Sequence, residues 1–419
     1  MPEELQAHGM MSQPKSGDSH APGLPDLISK NMLPAQESIL SALDIADIIA
    51  LKRTSKAFVD IDATLAITDF NINKKLQKFV RNPTEFRNLQ AKYNFLIGGN
   101  FAINFFARNN AMPPKMCIHT EEEHLPTLET YLLNEGYKSD VSAGWTLEFK
   151  RLGIEIEVDC LRDSPALYSL LDGREDTASV SFLSWNKAFA LFGHSTYVAK
   201  EIYPLFQLQE SMAQHYRYLA NAGYTMKKVH WKQAGCGGDC EIVTRPRRVG
   251  DRHTWVINLD TKNITPSEMP NAVIESSTFI VRCVWNPHLP VFGKISHYDM
   301  SIECKLRHPV LEYQYVTGKW PKEYEDKIQQ ICDRMNEQTL IAMLIMREDD
   351  RPDEFQALMN GDIDSAELRG TFDLPQKWVF YDKEVIQLLN DLLEDEEPRK
   401  SPDKELSSVA DRGIWPINY

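Results

Sequence analysis

The sequence predicts an α+β protein, on three observations. Between Phe95 and His119 (FLIGGNFAINFFARNNAMPPKMCIH) the apolar pattern switches from strand to helix and back to strand around a Gly-Gly turn. Residues 146–160 alternate in and out as a hairpin does, and Pro321–Met346 carries the period of one long helix. Strands and helices therefore both occur, and they are not in strict βαβ alternation.

Length and charge bound the answer. At 419 residues and 42% apolar content the chain has room for two or three units and a packed core. The balance of 46 basic and 60 acidic residues gives a net charge of −14, which repels a phosphate backbone and argues against a nucleic acid as partner. The densest basic stretch, Thr244–Arg252 (TRPRRVGDR), reads as a solvated loop. Apolar runs such as Leu340–Met346 fall far short of the roughly 20 residues a membrane span needs, and the first residues lack the apolar block of a secretory signal. An intracellular protein, cytoplasmic or nuclear and not secreted, is the expectation. Seven scattered cysteines, an odd number, predict reduced thiols.

Residues 1–27 mix Pro, Gly, Ser and Gln without periodicity and are expected to be a disordered tail. Residues 28–61 place Ile39, Leu40, Leu43, Ile48 and Leu51 at helical spacing, which predicts two or three short helices. Thr84 is the expected N-cap of a helix over 85–92, which leads into a strand at 94–97. After Gly98-Gly99-Asn100, Phe101, Ala102, Phe105 and Phe106 make one apolar helix face, stopped by Pro113-Pro114. Met116–Thr120 is extended, and a helix marked by Leu125, Leu128 and Leu132 ends at Gly136.

The hairpin puts Ile154, Ile156, Val158 and Cys160 on one face of its second strand and Glu155, Glu157 and Asp159 on the other. Ser181–Leu191 and Glu201–Asn221 read as mostly helical, with Trp185 inside a core helix. Arg252–Leu259 and Val273–Val284 read as a later sheet. The expected bodies are 71–205 and 206–394, followed by an acidic and polar tail over 395–419.

Two resemblances follow from these residues. Leu33-Pro34, Ile39-Leu40, Leu43, Ile48 and Leu51, with Ser55-Lys56 and Phe58, resemble the F-box, a helical module that docks on the Skp1 adaptor of ubiquitin ligases. The resemblance implies that these side chains bind a Skp1-like partner; the other reading is that the helices cap the following domain. Asn71–Arg81, Phe86-Arg87, Leu96–Phe106, Leu125–Tyr137, SFLSWNKAFALFGHSTYV and DRHTW are similar to an uncharacterised filamentous-fungal family with an F-box-like start and a nucleotidyltransferase-like body. In that pattern the strand after the glycine turn carries Asp-x-Asp; here it carries Lys115-Met116-Cys117.

The departure matters chemically. Nucleotidyl transfer uses Mg²⁺ held by clustered oxygen ligands, whereas lysine repels the ion and cysteine is too soft for it. The expectation is a non-catalytic binding protein, needing no cofactor, that recognises a target protein or a small ligand and is coupled to a ubiquitin ligase. Gly98, Gly99 and Asn100 could still offer backbone N–H groups to a phosphate, or merely let the helix pack close to its strand. The alternative is an active transferase using Mg²⁺, a nucleotide and the displaced acids Glu155, Glu157 and Asp159. A third idea, an antidote factor in a genetic conflict, rests on fold analogy alone. Cys236 and Cys240 (CGGDC) form the best thiol pair for a metal, but zinc usually takes two such pairs, and an ordinary loop is the other reading. Cys117 and His119 share a strand face with no third orienting group, and packing is expected of them.

Overall fold

The chain is described here from a computed structural model, over residues 27–28, 32–55, 58, 61–110, 112–141, 146–227, 246–285, 295–318, 322–363 and 378–394. It divides into two compact units, Met1–Thr64 and Leu65–Tyr419. No helix among the described residues is long and apolar enough to cross a membrane. The fold class is α+β.

The first unit holds α1 (Leu33–Ala42) and α2 (Ile45–Thr54). Asp44 and Asp47 form a reciprocal capping box: the Asp44 side chain accepts the Asp47 N–H at 2.9 Å, and the Asp47 side chain accepts the Asp44 N–H at 3.3 Å. Buried Gln36 donates to the Ile28 carbonyl and accepts from Thr64 Oγ1, both at 2.8 Å. Leu33 opens α1. Of the other side chains expected to face a partner, Leu40 and Ile48 are already buried, Ile39, Leu43 and Leu51 are half-buried, and Pro34 is exposed.

The second unit is built on a mixed sheet. In chain order its elements are α3 (Pro83–Tyr93), β1 (Leu96–Gly98), α4 (Gly99–Phe106), β2 (Lys115–His119), α5 (Leu125–Asn134), β3 (Lys138–Val141), β4 (Thr146–Arg151) and β5 (Ile154–Asp159). There follow α6 (Ala166–Leu171), β6 (Ser181–Leu183), β7 (Lys187–Ala190), α7 (Ala213–Asn221) and β8 (Trp255–Asn258). The strands stand in the order β8-β7-β6-β1-β2-β5-β4-β3; β2 and β5 run parallel and the other neighbours antiparallel. Beyond it lie α8 (Asn271–Ser276), β9 (Thr278–Trp285), β10 (Ile295–Ser301), β11 (Glu303–Leu306), β12 (Tyr315–Thr317), α9 (Lys322–Ile345) and α10 (Asp382–Glu394).

Five details differ from the sequence reading. Asn82, not Thr84, caps α3: its side chain accepts the Glu85 N–H at 3.3 Å and Pro83 takes the first helical position, where its missing N–H costs nothing. Ser181–Leu191 is a β-hairpin rather than a helix. Its apolar run is short enough to fit either state, and pairing wins because Phe182 stacks on Phe189 at 5.0 Å while Ser184 Oγ accepts the Lys187 N–H across the turn. Only 210–221 of the expected 201–221 helix is helical, and Val273–Val284 begins as α8 before β9 starts. The central sheet also runs across the boundary expected at residue 205. Trp255 and Ile257, both buried, bring β8 against Ala190 and Ala188 of β7.

Candidate functional site

The site is one face of the central sheet. In parallel pairing Lys115, Cys117 and His119 of β2 lie directly opposite Glu155, Glu157 and Asp159 of β5. The turn between β4 and β5 has two residues, Leu152 (φ 47°) and Gly153 (φ 78°), a pair of left-handed conformations that suits a tight hairpin. That turn fixes the register, so Thr146, Glu148 and Lys150 of β4 oppose Asp159, Glu157 and Glu155. Ile156 and Val158, pointing the other way, are fully buried. Six side chains with protons or charges to give thus share a surface with three from β2.

The glycine turn leans over this face. Gly98 pairs with Cys117, and Gly99 has φ 63°. A Cβ on Gly99 would meet Cys117 Sγ at 2.9 Å, and one on Gly98 would meet His119 Nε2 at 3.1 Å. Gly99 therefore requires glycine, for its backbone as well as its contact, while a side chain at Gly98, whose backbone is extended, would press on the His119 ring. No side chain caps α4, and Asn100 at its start is half-exposed, its carbonyl taken by Asn104 Nδ2 at 2.7 Å.

Lys115 decides the electrostatics. Its Nζ lies 3.1 Å from Glu155 and in direct contact with Glu157. Burial disfavours the ammonium, but the hydrogen bond and charge of Glu157, with a hydrogen bond from Glu155, outweigh it and raise the pKa, so the cation persists. Burial, then Glu157, pushes the Cys117 thiol up to about 12, so it is a neutral thiol and no nucleophile. Burial, reinforced by Arg174, lowers the His119 pKa well below its ordinary value. Its Nδ1 lies 3.4 Å from Ser169 Oγ and 3.6 Å from Asp159.

The three expected acids do not converge. Glu155 and Glu157 meet on Lys115, whereas Asp159 is drawn off by Thr146 Oγ1, which donates to it at 2.8 Å, and by Arg174 at 3.7 Å. The carboxylate that joins the other two is Glu148: oxygens of Glu148, Glu155 and Glu157 lie within 4.8 Å of one another. Lys150 in turn pairs with Glu148 at 2.8 Å and Asp140 at 3.2 Å. Sequence reasoning missed Glu148, although the two-residue turn at Leu152-Gly153 was the signal that would have found it. Ser169 and Arg174 arrive from distant chain, with no local signal. Cys236 and Cys240 lie outside the described residues.

No family model matches this chain, and no curated protein does. Among solved structures the chain is similar to a CCA-adding enzyme with CTP (14% identity, TM-score 0.29, over 37% of this chain and 42% of that one). It is similar also to a CCA-adding enzyme with ATP (14% identity, TM-score 0.30, 38% and 43%) and to the apo form I (15% identity, TM-score 0.28, 38% and 43%). The chain spans less than half the length of these structures, and the likeness assigns no residue a role.

Proposed function

We propose that this protein is a non-catalytic binding protein with a nucleotidyltransferase-like body. The observation that carries the reading is Lys115, whose ammonium sits between Glu155 and Glu157 on the face where a transferase would need a divalent metal. Each acid of that face has a resident basic or hydroxyl partner: Lys115 for Glu155 and Glu157, Lys150 for Glu148, Thr146 and Arg174 for Asp159. A metal would have to displace a tethered cation that costs no translational entropy to hold in place. The uncapped first turn of α4 still suits an anionic group without metal, so phosphate recognition survives the loss of transfer chemistry.

The test is incubation of the full chain with labelled nucleoside triphosphates and Mg²⁺ or Mn²⁺. No transfer is expected. Transfer that Glu157→Gln abolishes would overturn the proposal in favour of a transferase with displaced acids.

A second role, docking on a Skp1-like adaptor, is favoured by the part-exposed row Pro34, Ile39, Leu43 and Leu51 in the first unit. Co-purification with Skp1 by the full chain, lost in an Ile39→Asp, Leu51→Asp variant that keeps its thermal transition, supports it. No capture by either form removes it.

A further inference from the structure

The large apolar side chains that the protein leaves exposed are not scattered evenly. Of eleven such residues among the described ones, six lie around the C-terminal end of α9: Ile341, Leu344, Ile345, Met359, Val379 and Phe380. Ile345 is 80% exposed and Val379 63%. Single exposed apolar side chains need no explanation, whereas a patch of them marks a surface that meets a partner.

The sequence of α9 accounts for its own share. Ile331, Met335, Thr339 and Met343 recur at every fourth position and are buried, which fixes the inward side of the helix. Ile341 and Ile345, each two residues beyond a buried one, fall on the opposite side. The outward row Gln330, Arg334, Glu337, Ile341 and Ile345, all exposed, is thus polar for its first part and apolar for its second. Further contacts bring the other members alongside. Leu358, on the short helix Phe355–Asn360 that carries Met359, packs with Met343 of α9, and Trp378 packs against that pair. Tyr381 donates its hydroxyl to Gln338 Oε1 at 2.9 Å, so Val379 and Phe380 lie beside the same turns of α9.

The flanks of the patch are acidic. Glu337, Glu348, Asp349, Asp350, Asp353 and Glu354 are exposed there, against exposed Arg334 and Arg347. Arg351 is turned back onto the end of α9, where its guanidinium donates to the carbonyls of Met343 and Leu344 at 3.1 Å and of Met346 at 3.2 Å. Two copies meeting patch to patch would set these like charges against each other, in a chain whose net charge is already −14. A partner of opposite sign gains from the apolar contact and from the flanks together.

We infer that this surface docks a basic amphipathic helix of another protein. Its apolar face covers Ile341, Ile345 and Phe380, and its lysines or arginines meet the acidic flanks. The inference is independent of whether the Lys115 face is catalytically silent.

Calorimetry on the full chain with three 14-residue peptides tests it. The first is a leucine–lysine peptide with one apolar helical face; the second has the same composition in an order that gives no such face; the third replaces every lysine of the first with glutamate. The first should bind at least about tenfold more tightly than the second, and the third not at all. Its affinity should weaken with added salt, and should fall about tenfold in an Ile341→Ser, Ile345→Ser variant that keeps its thermal transition. Equal binding of the first two peptides would overturn the inference, because charge alone would then suffice. Failure of the first to bind, or binding that the variant leaves unchanged, would overturn it too. So would a dimer of the full chain in sedimentation that the same variant dissociates, since a second copy would then be the occupant.

Discussion

Lys115 Nζ lies 3.1 Å from a carboxylate oxygen of Glu155, the residue directly opposite it on the parallel strand β5. The pairing turns a surface that reads as a metal site in carboxylates alone into one whose cation is covalently part of the protein.

Removing that cation should uncover the acids. Lys115→Ala leaves Glu148, Glu155 and Glu157 facing each other, and like charges this close favour a divalent ion. Calorimetry should find Mn²⁺ binding to the variant with a dissociation constant of roughly 0.1–1 mM, the weak end of carboxylate sites. The unaltered protein and Lys115→Ala, Glu157→Gln should show none.

Gly99→Ala should destabilise the second unit by about 1–3 kcal/mol in chemical denaturation, because the backbone has φ 63° and the new methyl meets Cys117 Sγ. Adding Cys117→Ala should recover the part due to contact and leave the part due to backbone. Full recovery would show that the left-handed conformation is not costly there.

Arg87 joins segments that are far apart in the chain. Its guanidinium donates to Asn73 Oδ1 at 3.1 Å, to the Asp260 carbonyl at 2.7 Å and to the Trp185 carbonyl at 2.6 Å, and the side chain is fully buried. Arg87→Met keeps the packing but strips these acceptors of their donors, so a loss of about 2–4 kcal/mol is expected in the denaturation midpoint analysis. Asn73→Ala, which removes one acceptor, should cost much less.

Two histidines should shape stability against pH in opposite ways. His215 Nε2 lies 2.8 Å from buried Asp176; although burial disfavours the imidazolium, Asp176 and Glu175 raise its pKa. Its stabilising contribution is complete below the ordinary value of about 6.5 and fades as pH rises through the elevated one. His119, with its pKa lowered by burial and Arg174, contributes the reverse. Stability falls as pH drops below about 6.5, because the unfolded chain then takes up a proton that the folded chain refuses. Unfolding free energy measured across pH 5 to 8 should therefore flatten on the alkaline side in Asp176→Asn and on the acid side in His119→Gln.

Much of this was legible in the sequence, for reasons that can be named. The β4–β5 hairpin announced itself through strict alternation and Gly153, α5 through its apolar spacing and the break at Gly136, and α4 through its apolar spacing, although it ends at Phe106 rather than at Pro113-Pro114. The β6–β7 hairpin did not, because SFLSWNKAFAL lacks β-branched residues and has no Gly or Pro in its turn; Ser184 does that work with a side-chain hydrogen bond. Alternation placed Glu155, Glu157 and Asp159 on one strand face, but not the partners that draw Asp159 away, which are Arg174, fifteen positions on, and Thr146 across the hairpin. Local pattern fixes which face a side chain takes; it says nothing about which distant residue competes for it.

A cation supplied by a side chain differs from one supplied by solution in a further respect. It does not exchange, so occupancy of the Lys115 position is independent of how much free magnesium or chelator surrounds the protein. The sheet face presents the same charge pattern in a metal-starved medium and a metal-rich one.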